Sequence, residues 1–166
     1  MSLPELSPLV SVIVPVHNRS ELLGRALRSV ASQSFSSFEI VVVDDGSTDD
    51  ISAVLKQVGH QRTRLVRHVR RRGTAAARNT GVQNSRSPYL AFLDSDDEWL
   101  PAKLHEQLKH LTEAPRCSKV SCTAYYLHKE GHVTEIVGTA TSDVNSQLLW
   151  GCRLSPGSTL LGPVLS

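Results

Sequence analysis

The stretch Phe38–Asp49, which reads FEIVVVDDGSTD, joins a largely apolar, β-branched run to a polar turn. The run Phe38–Val43 is typical of a buried strand, and the turn after it begins with two adjacent aspartates, Asp44 and Asp45. Side chains of neighbouring residues on an extended chain point to opposite faces, so only one of the two aspartates can easily face a ligand. A turn with a helix cap is the alternative interpretation, and Ser47 and Asp49 suit those two roles.

Strands and helices alternate on both sides of this stretch. The apolar runs predict further strands over Val10–Val14, Leu65–Val69 and Tyr89–Leu93. Helical spacing of apolar residues predicts four helices. The first starts at Ser20, the second covers 51–58, the third covers Ala75–Val82, and the fourth runs from Pro101 to Leu111. Ser20 is a candidate cap for the first of them. Apolar strands that alternate with helices predict an α/β fold, a Rossmann-like, mostly parallel sheet with helices on both faces.

The pattern changes after about Pro115, which divides the chain into residues 1–115 and 116–166. Residues 120–127 and 133–137 are predicted to form an antiparallel pair around Glu130 and Gly131. The tail 152–166, rich in Gly, Ser, Pro and Leu, has no predicted structure. Apolar residues near the end would favour a homo-oligomer if they were exposed, namely Leu148, Leu149, Trp150 and Leu160.

Composition limits the function classes. The 166 residues carry a net charge of +2, which gives no argument for nucleic acid as a partner. No apolar run is long enough to cross a bilayer, and the first eight residues lack the basic start of a signal peptide. The three cysteines have no C-x-x-C spacing and are expected to be reduced thiols. We therefore expect a cytoplasmic protein, or one peripheral to the cytoplasmic face of a membrane.

Polar clusters follow all four predicted strands of the first part. They are Pro15-Val16-His17-Asn18, Asp44-Asp45-Gly46-Ser47, Arg70-Arg71-Arg72-Gly73 and Asp94-Ser95-Asp96-Asp97. Ligands of open parallel sheets bind in the crevice beyond the carboxyl ends of the strands. One such cluster would be ordinary turn chemistry, but four at the same edge predict a binding site.

The acidic cluster predicts a metal site. Asp94, Asp96 and Asp97 repel one another at the end of a buried strand unless a cation is present. Mg²⁺ takes oxygen ligands and commonly combines one or two carboxylates with substrate phosphates. The pattern therefore suits a metal that joins the cluster to a diphosphate, with a solvated acidic turn as the alternative.

The basic stretch Arg62–Arg72 contains six arginines in eleven residues. A solvated surface is the ordinary interpretation, and a phosphate clamp or a contact with anionic lipid is the sharper one. Nucleic-acid binding would require interleaved aromatic residues or a known module. The sequence has neither G-x-G-x-x-G after the first strand nor G-x-x-x-x-G-K-[ST], and it has no zinc-type histidine pair and no G-x-S-x-G.

The chain resembles family 2 of the inverting glycosyltransferases, which have the GT-A fold. Five blocks in the family's order carry the resemblance: Val10–Asn18, Ser32–Phe35, Glu39–Asp49, Gly73–Gly81 and Phe92–Pro101. The resemblance implies that residues 1–115 bind a nucleotide sugar and that 116–166 belong to the acceptor side of the same domain.

By this resemblance, Pro15 and His17 flank the nucleotide base. Asp45 accepts a hydrogen bond from the base, as a carboxylate can from the N–H of uracil, and Asp44 is its less certain neighbour. Arg71 stands where the family commonly has asparagine, so no specific donor contact is assigned to it.

The resemblance also assigns the diphosphate side of the site. Asp94-Ser95-Asp96 matches the D-x-D motif. Asp96 would ligate Mg²⁺ or Mn²⁺ on the diphosphate, with Asp94 near the ribose or the metal. Arg78 lies where the family has an arginine that approaches the donor or braces the loop, whereas Asn79 is expected to hold local structure.

The implied reaction is transfer of a sugar from a nucleoside diphosphate sugar to an acceptor hydroxyl on a saccharide, lipid or protein, with inversion. UDP is the default nucleotide, and GDP or dTDP are alternatives. The family's catalytic base comes from an acidic motif later in the chain, but no acidic residue follows Asp143. We therefore expect the acceptor half to be incomplete. A non-catalytic binder is the second hypothesis, and a nucleotidyltransferase ranks last because no basic Gly-rich loop follows the first strand.

Overall fold

The computed structural model describes residues 7–113, 120–122, 125–129, 132–136 and 159–161. The strands are β1 Val10–Val16, β2 Phe38–Asp44, β3 Thr63–Arg67, β4 Tyr89–Phe92, β5 Val120–Cys122, β6 Tyr125–Lys129, β7 His132–Ile136 and β8 Thr159–Leu161. The helices are α1 Ser20–Ala31, α2 Ile51–Val58, α3 Thr74–Gln83 and α4 Lys103–Glu113.

The main sheet of the described residues has the strand order β3-β2-β1-β4-β8-β5. The first four strands in this order are parallel, as the strand–helix alternation predicts. β8 lies antiparallel between β4 and β5. The α/β fold class with a mostly parallel sheet is therefore confirmed. The sheet takes strands from both sides of residue 115, and the division of the chain there stays a prediction.

Helices cover both faces of the sheet. On one face, the larger core cluster combines β1 and β2 side chains such as Val12 and Ile40 with Leu23, Leu27 and Leu104 from α1 and α4. On the other face, a smaller cluster joins β2 to α3. α3 lies so close to β1 that a Cβ on Gly81 would come within 2.3 Å of Ile13 Cγ2. This close packing fixes the last turn of α3 against the middle of β1.

Two element boundaries differ from the sequence prediction. β3 is Thr63–Arg67 rather than Leu65–Val69, because its register pairs Arg67 with Asp44, the last residue of β2. His68 and Val69 therefore belong to the loop that follows. α4 begins at Lys103 rather than at Pro101, which lies in a turn where Lys103 N donates to Leu100 O at 3.0 Å.

The predicted cap of α1 is also corrected. Ser20 is the first helical residue, and no side-chain cap comes from its own segment. Instead, the Ser20 backbone N donates to Asp49 Oδ2 at 2.9 Å, across from the β2–α2 loop. The next residue, Asp50, caps α2 by accepting from Ala53 N at 3.0 Å. A tertiary contact thus replaces the local cap and ties the first two strand-end loops together.

The antiparallel pair in the second part is confirmed, since β6 and β7 pair on either side of residues 130–131. However, 120–127 is not one strand. Residues 120–122 form β5 in the main sheet, whereas β6 starts at Tyr125 in a separate two-stranded sheet. The predicted apolar surface near Leu148–Trp150 lies outside the described residues. None of the described helices is long and apolar enough to cross a membrane.

Candidate functional site

The loops after β1, β2, β3 and β4 surround one cleft of about 510 Å³ at the carboxyl edge of the sheet. This is where open parallel sheets bind ligands. The cleft is lined by Pro15, Val16, His17, Arg19, Asp45, Arg71, Thr74, Ala77, Arg78, Asp94, Ser95 and Asp96. The structure thus brings all the sequence-predicted site residues except Asp44 to a single cavity.

Asp45 anchors the loop that follows β3. Its Oδ1 lies 2.7 Å from His68 Nδ1 and accepts from the Arg72 backbone N at 2.8 Å. Its Oδ2 accepts from Gly73 N at 2.7 Å. Burial of the carboxyl opposes its ionisation, but the hydrogen bonds from His68, Arg72 and Gly73 outweigh burial and lower the pKa of Asp45. Asp45 is therefore a carboxylate that fixes one wall of the cleft.

Asp44 has a different place from its neighbour, as the alternation along an extended chain requires. Its side chain is fully buried and does not line the cleft. One oxygen accepts from Ser47 N at 2.8 Å, and the other accepts from Arg67 Nε at 2.7 Å. In this structure Asp44 shapes the turn after β2 and pairs with β3, and the prediction of a donor contact at Asp44 has no support from its position.

Pro15 and His17 form the β1 side of the cleft. The loop that carries His17 turns at Asn18, whose φ of 51° is unusual for a residue other than glycine. Asn18 Oδ1 stabilises this turn by accepting from Thr48 N at 2.8 Å, and Asn18 N donates to Ser47 Oγ at 3.0 Å. These contacts hold the β1 and β2 loops in one arrangement.

The acidic motif follows β4, the neighbour of β1, and forms the β4 side of the cleft. Arg78 on α3 donates to Asp94 Oδ1 at 2.6 Å. Arg19, just before α1, pairs with Asp96. Ser95 between them is buried. Desolvation and the nearby charges of Asp94 and Asp96 raise the pKa of the next carboxyl, Asp97. Negative charge therefore accumulates at this point even though two arginines offset part of it.

The acidic motif suits a hard divalent cation. Its donors are carboxylate oxygens, which Mg²⁺ and Mn²⁺ prefer, and both carboxylates already hold a cationic group. Within the described part of the chain, no three His, Cys, Asp or Glu side chains come together as a complete metal site. A metal here would take its remaining ligands from phosphates and water, as Mg²⁺ usually does.

Four lining residues were not among the predicted site residues: Val16, Arg19, Thr74 and Ala77. Arg71, to which the sequence assigned no contact, also lines the cleft. The sequence also did not predict a role for His68. This residue does not line the cleft, but it is buried and holds Asp45 in place, and its Nε2 lies 2.9 Å from Thr80 Oγ1. Its position directly after β3 could have indicated such a role, because the other predicted site residues also follow strands. The sequence prediction ended β3 at Val69, two residues too late, and so placed His68 inside the strand. Arg19 could not be found by spacing, because its partner Asp96 is 77 residues away.

The chain is an α/β protein with a mostly parallel sheet, and its polar cleft lies at the carboxyl edge, where such sheets bind their ligands. A family model described as glycosyl transferase family 2 matches residues 11–135. The chain belongs to glycosyl transferase family 2.

Relatives of known sequence and structure agree with this assignment. Escherichia coli WfaP, a UDP-Glc:α-D-GlcNAc-diphosphoundecaprenol β-1,3-glucosyltransferase, is 28% identical over 92% of this chain and 60% of its own length. The S. aureus TarS fragment 1–349 in complex with UDP is 25% identical with a TM-score of 0.71, over 93% of this chain and 46% of that one. The mannosyltransferase PcManGT from Pyrobaculum calidifontis, in complex with GDP-Man and Mn²⁺, is 29% identical with a TM-score of 0.64. The match covers 74% of this chain and 37% of PcManGT. The chain spans only part of the length of the curated relatives it matches, for example 21% of a glycosyltransferase from Rickettsia bellii and 60% of WfaP.

Proposed function

We propose that this chain forms the donor-binding part of a metal-dependent, inverting glycosyltransferase that uses a nucleoside diphosphate sugar. The observation that carries the proposal is the cleft itself, in which the Asp94–Asp96 motif faces Asp45 and the loop after β3. A nucleotide needs a polar partner for its base at one end and charge compensation for its diphosphate at the other. The two walls supply these two kinds of contact.

The base side of the proposed site consists of Pro15, His17 and Asp45. Asp45 Oδ2 accepts one hydrogen bond from the protein, at Gly73 N, and a carboxylate oxygen can accept two. We propose that the second acceptor position of this oxygen takes the N–H of uracil, so UDP is the first candidate. Among the proteins similar to this chain, WfaP uses UDP-Glc and TarS was crystallised with UDP, whereas PcManGT was crystallised with GDP-Man.

The diphosphate side consists of the acidic motif and its two arginines. We propose that Asp96 and Asp94 hold Mg²⁺ or Mn²⁺, which would neutralise charge on the diphosphate as the sugar departs. Arg78 and Arg19 line the same wall and can donate to phosphate oxygens when they leave the carboxylates. The presence of Mn²⁺ in the PcManGT complex supports this choice of metal.

The acceptor is proposed to be a saccharide hydroxyl, first of all on a lipid-linked saccharide of a cell-surface polysaccharide pathway. WfaP acts on GlcNAc-diphosphoundecaprenol, and its similarity extends over 92% of this chain. We assign no residue as the catalytic base. Donor binding is therefore the part of the proposal that can be tested with this chain by itself.

Calorimetric titration with UDP, GDP and dTDP, with and without Mn²⁺, tests the proposal. We expect one nucleotide to bind in a Mn²⁺-dependent way and Asp96→Asn to lose that dependence. Glu98→Gln is the matched control, because Glu98 lies two residues away but pairs with Arg25 and does not line the cleft. Absence of nucleotide binding by the folded wild-type chain would reject the donor site.

A further inference from the structure

The loop of residues 68–73 is held by several hydrogen bonds, although the side chains of residues 69–72 are exposed. Asp45 binds its far end at Arg72 N and Gly73 N, and His68 fixes its near end. Its middle lies against Gly46, where a Cβ would come within 2.7 Å of Arg71 N and 2.8 Å of Arg70 C. The loop therefore presents its side chains in a fixed arrangement before any ligand arrives.

The arginines near this loop fall into two groups. Arg64 pairs with Glu39 at 3.0 Å and Arg67 with Asp44 at 2.7 Å, so two charges of the stretch are compensated. By contrast, the side chains of three consecutive arginines are exposed and have no acceptor within the described part of the chain, namely Arg70, Arg71 and Arg72. The charge left over is therefore concentrated in the loop.

The loop has two sides. Arg71 lines the cleft, whereas Arg70 and Arg72 line a second, shallow depression of about 340 Å³ together with Arg67, His68 and Val69. We call the side of the loop with this depression its outer side. Val69 is fully exposed, at 104% of its reference area. Transfer of an exposed aliphatic side chain from water to an apolar environment is favourable, so contact of Val69 with an apolar phase would stabilise binding.

The position of the loop separates this outer side from the acidic motif. β3 is the edge strand and β4 lies three strands away in the sheet. Strands lie about 4.8 Å apart, so roughly 14 Å divides the two strand ends. The depression and the cleft also share no lining residue, so a group bound by the outer arginines is distinct from the metal and diphosphate proposed above.

We propose that the outer side of this loop, formed by Val69, Arg70 and Arg72, docks the protein on an anionic phospholipid surface. A soluble phosphate would engage the guanidinium groups and leave Val69 in water. An anionic bilayer satisfies both, because its headgroup phosphates pair with the arginines while Val69 enters the interface. The loop lies at the mouth of the cleft, so docking would place the cleft beside the membrane.

Vesicle co-sedimentation of the purified chain tests the docking. We expect binding to vesicles of phosphatidylcholine with phosphatidylglycerol, weakening as salt is raised, and no binding to phosphatidylcholine alone. Each arginine near an anionic surface strengthens partition about fivefold, so Arg70→Gln/Arg72→Gln should weaken it on the order of tenfold or more. Val69→Ser should weaken it severalfold, with the loss persisting at high salt.

The matched control is Arg28→Gln/Lys56→Gln, which removes the same charge from the exposed surfaces of α1 and α2. It should change the partition far less than the loop variant does. An equal loss in both double variants would overturn the proposal, since net charge alone would then explain binding. Complete displacement by millimolar inorganic phosphate would overturn it in favour of a soluble anion. Thermal unfolding by circular dichroism verifies that each variant is folded.

Discussion

His68 Nδ1 lies 2.7 Å from Asp45 Oδ1, and His68 Nε2 lies 2.9 Å from Thr80 Oγ1. The buried ring therefore joins the end of β2 to the middle of α3 while the loop that lines the cleft passes around it. Both ring nitrogens have partners, so the imidazole is fixed in orientation. Loss of the ring would leave Asp45 held only by the backbone N–H groups of Arg72 and Gly73, and would loosen the cleft wall.

Replacement of His68 by alanine should lower the free energy of unfolding by about 1–3 kcal/mol, because it leaves buried polar partners unsatisfied. Thr80→Ala, which removes only the outer contact of the ring, should have a smaller effect. Urea unfolding monitored by circular dichroism measures both. If both variants lost the same stability, the contact between His68 and Asp45 would contribute nothing.

The lowered pKa of Asp45 predicts a pH dependence of stability. Because the folded-state pKa lies below the ordinary aspartate pKa of 3.8, the unfolded chain binds more protons in the window below that value. The contribution of Asp45 is therefore complete above this window and is lost as the pH falls through the folded-state pKa. Urea unfolding between pH 6 and acid, at about half-unit steps, should show a smaller decline in Asp45→Asn than in wild type. Identical slopes would contradict the prediction.

The two glycines Gly46 and Gly59 have nearly the same φ, 73° and 68°. Alanine at Gly59 meets nothing closer than 3.8 Å and should cost about 1 kcal/mol from backbone strain alone. Alanine at Gly46 adds the clash with the backbone of Arg70 and Arg71 and should cost more. It should also weaken nucleotide binding in calorimetry, because the loop is displaced. Equal destabilisation with unchanged binding would show that the loop does not depend on this contact.

Arg19 and Arg25 offer a matched pair of exposed ion pairs. Arg19 binds Asp96 and Arg25 binds Glu98, with similar exposure of the side chains. Exposed pairs contribute about 0–1 kcal/mol, so Arg19→Gln and Arg25→Gln should both leave the unfolding free energy nearly unchanged. Only Arg19→Gln should alter binding, with tighter Mn²⁺ in the absence of nucleotide, measured by electron paramagnetic resonance. Unchanged Mn²⁺ affinity would show that Arg19 does not compete for the acidic motif.

Much of the fold follows from local pattern. Phe38–Val43 and Val10–Val14 are recognisable as buried strands because each contains a run of consecutive β-branched residues, Ile40–Val43 and Val12–Val14. Helix positions such as 51–58 follow from spacing alone. The predicted strand boundaries are wrong where pairing with a neighbouring strand sets the boundary. β3 is an example, because its register on β2 ends the strand at Arg67. The short strand β8 had no visible pattern, because its three residues gain their structure from β4 and β5.

The sequence by itself determined the α/β class, the order of strands and helices, and the identity of the polar residues at the strand ends. These properties depend on residues close together in the chain, where apolar periodicity and turn chemistry act. Only the tertiary structure decided that Asp45 lines the cleft whereas Asp44 does not, that Asp49 caps α1, and that Arg19 and Arg78 pair with the acidic motif. Those contacts join residues 16 to 77 positions apart, and their geometry exists only once the helices have packed on the sheet.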